Sequence, residues 1–279
     1  MDERMRILKL LEEGKITADE AARLLEALKG EPHYKGPSFW ASGLAKTITD
    51  AVTSSLRASF GEVGSELRQT FKGKKMVGIS SVSGDVDIKG WDENKIEVSS
   101  TGGWLRKIRD EDDTLSIKEL SGDLSLRVPT RIDLDLSLVS GDARIEGCEG
   151  KIYLKTVSGD IELSRVRGQF TLKSVSGDVQ GEGIEGKLEV EAHSGEIGID
   201  FDKVEDIRVK VKTGHVELTI PQDSSLRLEL ETEKGYIDCD LPLKDIKRGE
   251  GYLKGILGKG EGELRVKIEE DGDIRIRGR

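Results

Sequence analysis

Apolar residues recur every three or four positions up to about residue 72, and every second position after Lys75. The first period predicts helices and the second predicts strands. Over residues 1–30, Met5, Ile7, Leu8 and Leu11 keep helical spacing up to Gly14, and Ala21, Leu24, Leu25 and Leu28 form a second stripe ending at Gly30. Thr17 and Glu20 form a capping box between the two. Its hydroxyl and carboxylate satisfy backbone N–H groups that a first helical turn leaves open. The segment reads as a helical hairpin, too small to bury much area alone and in need of a surface to dock on. Pro32, Gly36, Pro37 and Gly43 mark 31–43 as a linker. Leu44, Ile48, Val52, Leu56, Phe60, Val63, Leu67 and Phe71 then trace one stripe, which predicts an amphipathic helix over 44–72.

The remainder, 73–279, carries an internal repeat. Its turn glycines are Gly84, Gly122, Gly141, Gly159, Gly177, Gly195, Gly214 and Gly235, with intervals after Gly122 of 19, 18, 18, 18, 19 and 21. The first interval, 38 residues, is twice 19 and leaves room for a copy centred on Gly103, with Trp104–Asp113 as an irregular insertion. Counted from each glycine, apolar residues fall at −7, −5, −2, +2, +4 and +7; around Gly159 these are Ile152, Leu154, Val157, Ile161, Leu163 and Val166. His193 and Lys212 break the −2 column. Around Gly272 the N-terminal columns shift by one (Leu264, Val266, Ile268), as a β-bulge would produce. Each copy is two short strands joined at the glycine. One copy buries too little to fold alone, so copies must stack and share a core. The prediction is a mainly β protein: a parallel β-solenoid of stacked 18–19-residue coils, preceded by the hairpin and the amphipathic helix.

Composition narrows the function. Hydrophobic and charged residues each make up 35% of the chain, a balance that suits a narrow core with much solvated surface. The net charge of −10 disfavours nucleic-acid partners, which need Lys and Arg against phosphate. Cys148 and Cys239 lie in strand patterns and make neither a disulfide framework nor a zinc ribbon. No apolar run approaches about 18 residues, so the expectation is a cytoplasmic protein, peripheral at most to the inner face of the membrane.

Val-Ser-Gly-Asp-Val at 82–86 and 175–179, with Val-Ser-Gly-Asp-Ile at 157–161, resembles the adhesin-like, or toast-rack, β-repeat family of bacteria. Residues 6–25, from Arg6 through the Glu-Glu-Gly-Lys-Ile-Thr-Ala-Asp-Glu run to Leu25, resemble the SHOCT-like helical hairpin often fused to it. The resemblance implies a non-enzymatic bacterial protein, linked in some relatives to cell-envelope stress, and brings no catalytic residues with it.

The candidate chemistry lies at the corners. Asp85, Asp123, Asp142, Asp160, Asp178 and Glu196 form an acidic column at +1. Adjacent strands would bring these carboxylates about 4.8 Å apart, where they either cap the turn's own backbone N–H groups or hold a cation such as calcium. His193 and His215 share a corner with Glu196 and make a second, weaker metal set. No cofactor is predicted. The 44–71 stripe, with Phe39 and Trp40 before it, is read as a cap on the first coil, a site for a protein partner or a second copy, or a membrane-surface contact. Three functions are weighed. The leading one is a non-catalytic interaction scaffold of envelope homeostasis, engaging protein partners through the N-terminal helices. The second is a structural or adhesive solenoid, displayed or assembled through its repeats. The third is a calcium-binding or carbohydrate-active β-helix.

Overall fold

A computed structural model describes residues 67–104 and 107–279. The hairpin, the linker and residues 44–66 lie outside the described residues. The described residues all belong to one compact unit. The helix read over 44–72 does not run to its end. Leu67–Lys72 is a strand, β1, pairing antiparallel with β4 (Lys95–Trp104). Leu67 and Phe71 fit both periods, and a partner strand decides between them.

From β2 (Met76–Ser83) and β3 (Val86–Trp91) onward, the described residues form a mainly parallel β-solenoid with two sheet faces. Coils follow one another directly through β7 (Asp133–Ser140), β8 (Ala143–Glu146), β9 (Glu149–Ser158), β10 (Ile161–Ser164), β11 (Arg167–Ser176), β12 (Val179–Ser194), β13 (Ile197–Thr213) and β14 (Val216–Ile220). On one face β7, β9, β11 and the later half of β12 are neighbours in register. On the other, β8, β10, the earlier half of β12 and that of β13 are neighbours.

Burial alternates along most strands of the stack. Positions −7, −5 and −3 point inward, as do +2 and +4, so the −2 column read as core is half-exposed except at Leu120, which is buried, and −3 takes its place. The −3 residues include Ser81, Thr156 and Ser174, all buried. Ser81 and Thr156 donate to the carbonyls of Ser83 and Ser158, satisfying corner carbonyls that would otherwise face the core bare. Beside these hydroxyls, Ile152, Leu154, Ile161, Leu163, Phe170 and Leu172 fill the interior.

Stack order departs from chain order at both ends. β6 (Thr114–Pro129) lies beside β2 and β3, and β7 and β8 take their other edges, so the 76–91 coil is sandwiched between a later coil and the next one. No parallel copy centres on Gly103. β4 and β5 (Lys107–Glu111) run antiparallel along β6, with Asp112 at positive φ in the β5–β6 turn. The Trp104–Asp113 insertion is thus part of an antiparallel cap, whose outer strand is β1.

The C-terminal end mirrors this. β15 (Leu226–Lys234) and β16 (Ile237–Cys239) form the last coil, and β17 (Lys244–Gly249) and β18 (Tyr252–Leu257) cap it antiparallel. β19 (Gly262–Asp271) and β20 (Ile274–Gly278) then insert between that coil and the β13–β14 coil. The bulge expected near Gly272 is present: Thr232 pairs with Ile268 but Lys234 pairs with Asp271.

Candidate functional site

The Val-Ser-Gly-Asp corner stacks into three columns, formed by the turn glycine and the residues on either side of it. The glycines run Gly122, Gly84, Gly141, Gly159, Gly177, Gly195, Gly214, Gly272 and Gly235 in space, with φ between +105° and +155°. A Cβ at Gly159 would overlap the carbonyl oxygen of Gly141, and one at Gly177 that of Gly159. Two requirements therefore coincide, a left-handed φ and a backbone in contact with the next backbone.

The serines at −1 join coils. Ser140 Oγ donates to the Val82 carbonyl (3.1 Å), Ser176 Oγ to Val157 (3.2 Å) and Ser194 Oγ to Val175 (3.3 Å). The valine at −2 offers its carbonyl here, not its side chain to the core.

The acidic column also works between coils and not within its own turn. Asp123 Oδ1 accepts the N–H of Asp85 at 3.0 Å, Asp85 Oδ1 that of Asp142 at 2.9 Å, and Asp142 Oδ1 that of Asp160 at 3.0 Å. Asp160 Oδ1 and Asp178 Oδ1 continue to the N–H groups of Asp178 and Glu196, each at 2.8 Å. The carboxylate is thus an acceptor for a backbone donor that the sheet ladder leaves open at the corner. Sequence spacing shows the column but not which coil owns the donor, since both readings place a carboxylate beside a turn.

The ladder is interrupted once in its middle. Among the described residues no such bond joins Glu196 to His215. It resumes in altered form, with His215 Nδ1 accepting the N–H of Asp273 at 3.1 Å and Asp273 Oδ1 accepting that of Tyr236 at 2.9 Å. His193 is half-buried at −2 and contributes, with Lys212, to the field that holds the Glu270 carboxyl below its ordinary range; the Lys212 hydrogen bond is the larger cause. His193, His215 and Glu196 are not gathered around a common point. Among the described residues, no group of three or more His, Cys, Asp and Glu is arranged to hold a metal. Asp142, Asp160 and Asp178 are spoken for by backbone N–H groups.

The thiols are poor nucleophiles. Burial pushes Cys148 up to about 12 and raises Cys239 as well.

A concavity of about 590 Å³ opens on the second sheet face where the ladder is interrupted, lined by Gln180, Glu196, Gly198, His215, Glu217 and Arg275 among others. Sequence spacing points to Glu196 as a turn cap or a cation ligand and to His215 as a metal ligand, and gives no notice of Gly198, the outward position without a side chain. The signal for it is a glycine at +3, where every aligned neighbour carries a polar or charged residue.

Residues 149–277 match the family model described as Toastrack DUF4097, and residues 2–33 match one described as a SHOCT-like domain. Among curated proteins no match was found. Similar solved structures include a candidate cell adhesion protein from Clostridium sporogenes, at 13% identity and TM-score 0.33, covering 77% of this chain and 100% of that one. A candidate adhesin from Bacteroides fragilis shows 14% identity and TM-score 0.37, over 76% of this chain and 97% of its own. Another from Parabacteroides merdae shows 11% identity and TM-score 0.28, over 78% and 97%. At such scores the likeness supports no argument about function.

Proposed function

The chain belongs to the toast-rack family and carries a SHOCT-like N-terminal segment, and from that premise we propose that it is a non-catalytic interaction scaffold serving cell-envelope homeostasis. The solenoid is the rigid body, and residues 1–66 recruit a protein partner. The observation that carries this reading is where the polar chemistry of the repeat goes. Ser140, Ser176 and Ser194 are bonded to neighbouring carbonyls, and Asp85, Asp142, Asp160 and Asp178 to neighbouring N–H groups. Groups that could serve as nucleophiles or bases hold coil to coil. The envelope assignment comes from the family alone. The recruiting role comes from the apolar stripes of Leu24, Leu25 and Leu28 and of Leu44, Ile48 and Val52, which need a surface.

No helix among the described residues is long and apolar enough to cross a membrane. The scaffold is placed on the cytoplasmic side of the envelope as part of the proposal.

The test is proximity labelling in cells of the full chain, beside a variant carrying Leu24→Glu, Leu28→Glu, Ile48→Glu and Val52→Glu. The expected result is a small set of envelope-associated proteins labelled by the parent and lost in the variant, while circular dichroism of the β body is unchanged. Identical labelling by both chains would refute recruitment through the N-terminal segment.

A further inference from the structure

The outward +3 column crosses the second sheet face in the order Arg144, Glu162, Gln180, Gly198, Glu217, Arg275 and Asp238. Its other members are large and polar, and Arg144 Nε meets Glu162 Oε2 at 3.0 Å. Gly198 is the one gap in that run. Its φ is not left-handed, so the backbone does not demand glycine there. The nearest atom to a built Cβ is Gln180 Oε1 at 2.7 Å, the movable end of a side chain. Neither turn geometry nor backbone packing accounts for this glycine, unlike Gly159 or Gly177.

The break in the corner ladder falls on the same two coils, at Glu196 and His215. Two departures from the repeat, in different columns, thus converge on the concavity of about 590 Å³. Its walls are an amide (Gln180), a hydroxyl (Thr219), a guanidinium (Arg275), an imidazole (His215) and the carboxylates of Glu196 and Glu217. Asp200 lines it too, with Oδ2 tied to Arg279 at 3.0 Å and its buried Oδ1 without a hydrogen-bond partner among the described residues, and Asp273 Oδ1 is held by Tyr236 N–H. Glu196 and Glu217 have no ion-pair partner among the described residues. The apolar side chains at the floor, Ile197, Ile199 and Val216, are buried beneath the sheet surface.

We propose that this notch binds an amino sugar. The unpaired carboxylates of Glu196 and Glu217 take the protonated amine, since a charge-assisted hydrogen bond is the strongest contact the walls offer. Gln180, Thr219 and Arg275 address ring hydroxyls. A cation on a methylene chain gains little, because no exposed apolar or aromatic wall receives the chain. A neutral sugar leaves the two carboxylates without their cation. Amino-sugar binding at this notch is independent of what the N-terminal segment recruits.

The experiment uses the ¹⁵N-labelled full chain at about pH 6.5, where a sugar amine is protonated. D-glucosamine, D-glucose and putrescine are titrated in turn. Glucosamine is expected to move the amides of Gly198, Glu217 and Thr219 saturably, with glucose and putrescine each at least ~10-fold weaker, a difference of about 1.4 kcal/mol. Gly198→Gln refills the column at an ordinary strand φ, and Glu217→Gln removes one charge at constant shape. Each should weaken glucosamine binding by ~10-fold or more while leaving the melting temperature within a few degrees. Absence of saturable shifts overturns the site. Equal response to glucose overturns the amine contact, and equal response to putrescine overturns the sugar. Undiminished binding by Gly198→Gln overturns the location.

Discussion

At Gly159 a single added methyl group meets two obstacles at once, the carbonyl oxygen of Gly141 and a φ of +125°. At Gly78 the same methyl meets nothing within 4 Å and no left-handed φ. Gly159→Ala should therefore cost roughly 2–4 kcal/mol, the sum of backbone strain and a clash that a neighbouring coil cannot relieve. Gly78→Ala should fall within about 0.5 kcal/mol of wild type, stabilising if anything. Urea denaturation of the two variants reads the difference, and equal midpoints would refute the stacked-corner account. The glycine column is legible from sequence because a tight turn and positive φ are local demands. The Asp acceptor bonds are legible only as a column: the N–H that Asp160 accepts belongs to Asp178, on the next coil. The −3 residues are not legible at all. Ser81, Thr156 and Ser174 look like surface residues, and the apolar valine beside each draws the core assignment one position too far.

Elements at the two ends obey different rules from those in the middle. Alternation alone cannot separate a parallel strand from an antiparallel one, so Lys95–Trp104 and Lys107–Glu111 pass for an irregular copy and an insertion. In β17 all six residues are exposed. Lys244, Lys247 and Arg248 along it charge an edge that would otherwise invite pairing with another chain. The cap strand inside it is fastened by Glu229 on β15, which reaches Lys254 on β18 at 2.5 Å and Arg265 on β19 at 2.9 Å. The Lys254 hydrogen bond is the main reason the Glu229 carboxyl titrates below its ordinary value of 4.5. A carboxylate with a depressed folded pKa stabilises fully above its unfolded pKa and loses that contribution as pH falls through the folded one. Glu229→Gln should thus melt a little below wild type at neutral pH, by about 1–3 °C for a partly exposed pair, and the gap should close as pH falls below the ordinary carboxylate range. A gap of constant size across that range would show that charge is not what Glu229 supplies.

For the whole molecule, the middle coils are interchangeable and the end coils are not. Removing residues 150–167 joins Glu149 to Gly168, which occupies the same corner as Gly150 one coil on. That shortened chain should fold, with a melting temperature lower by roughly 5–10 °C, because a solenoid loses one repeat and one interface. Removing residues 262–278 takes out the coil that lies between β13–β14 and β15–β16. It should expose 226–257 to rapid proteolysis, and resistance of that segment would refute the inserted arrangement. The insertion itself leaves no trace in the repeat spacing, since alternation reports which face a residue takes and not which strand lies beside it. It also sets a constraint on how the protein is made. A ribosome delivers 226–239 before 262–278, so when the earlier coil emerges its proper neighbour does not yet exist, while the β13–β14 edge stands open and offers a compatible register. The later segment must enter a place that an equivalent segment can already hold. The end of the stack is therefore settled by competition once 262–278 has emerged, whereas β7 through β12 can be laid down in the order they are translated.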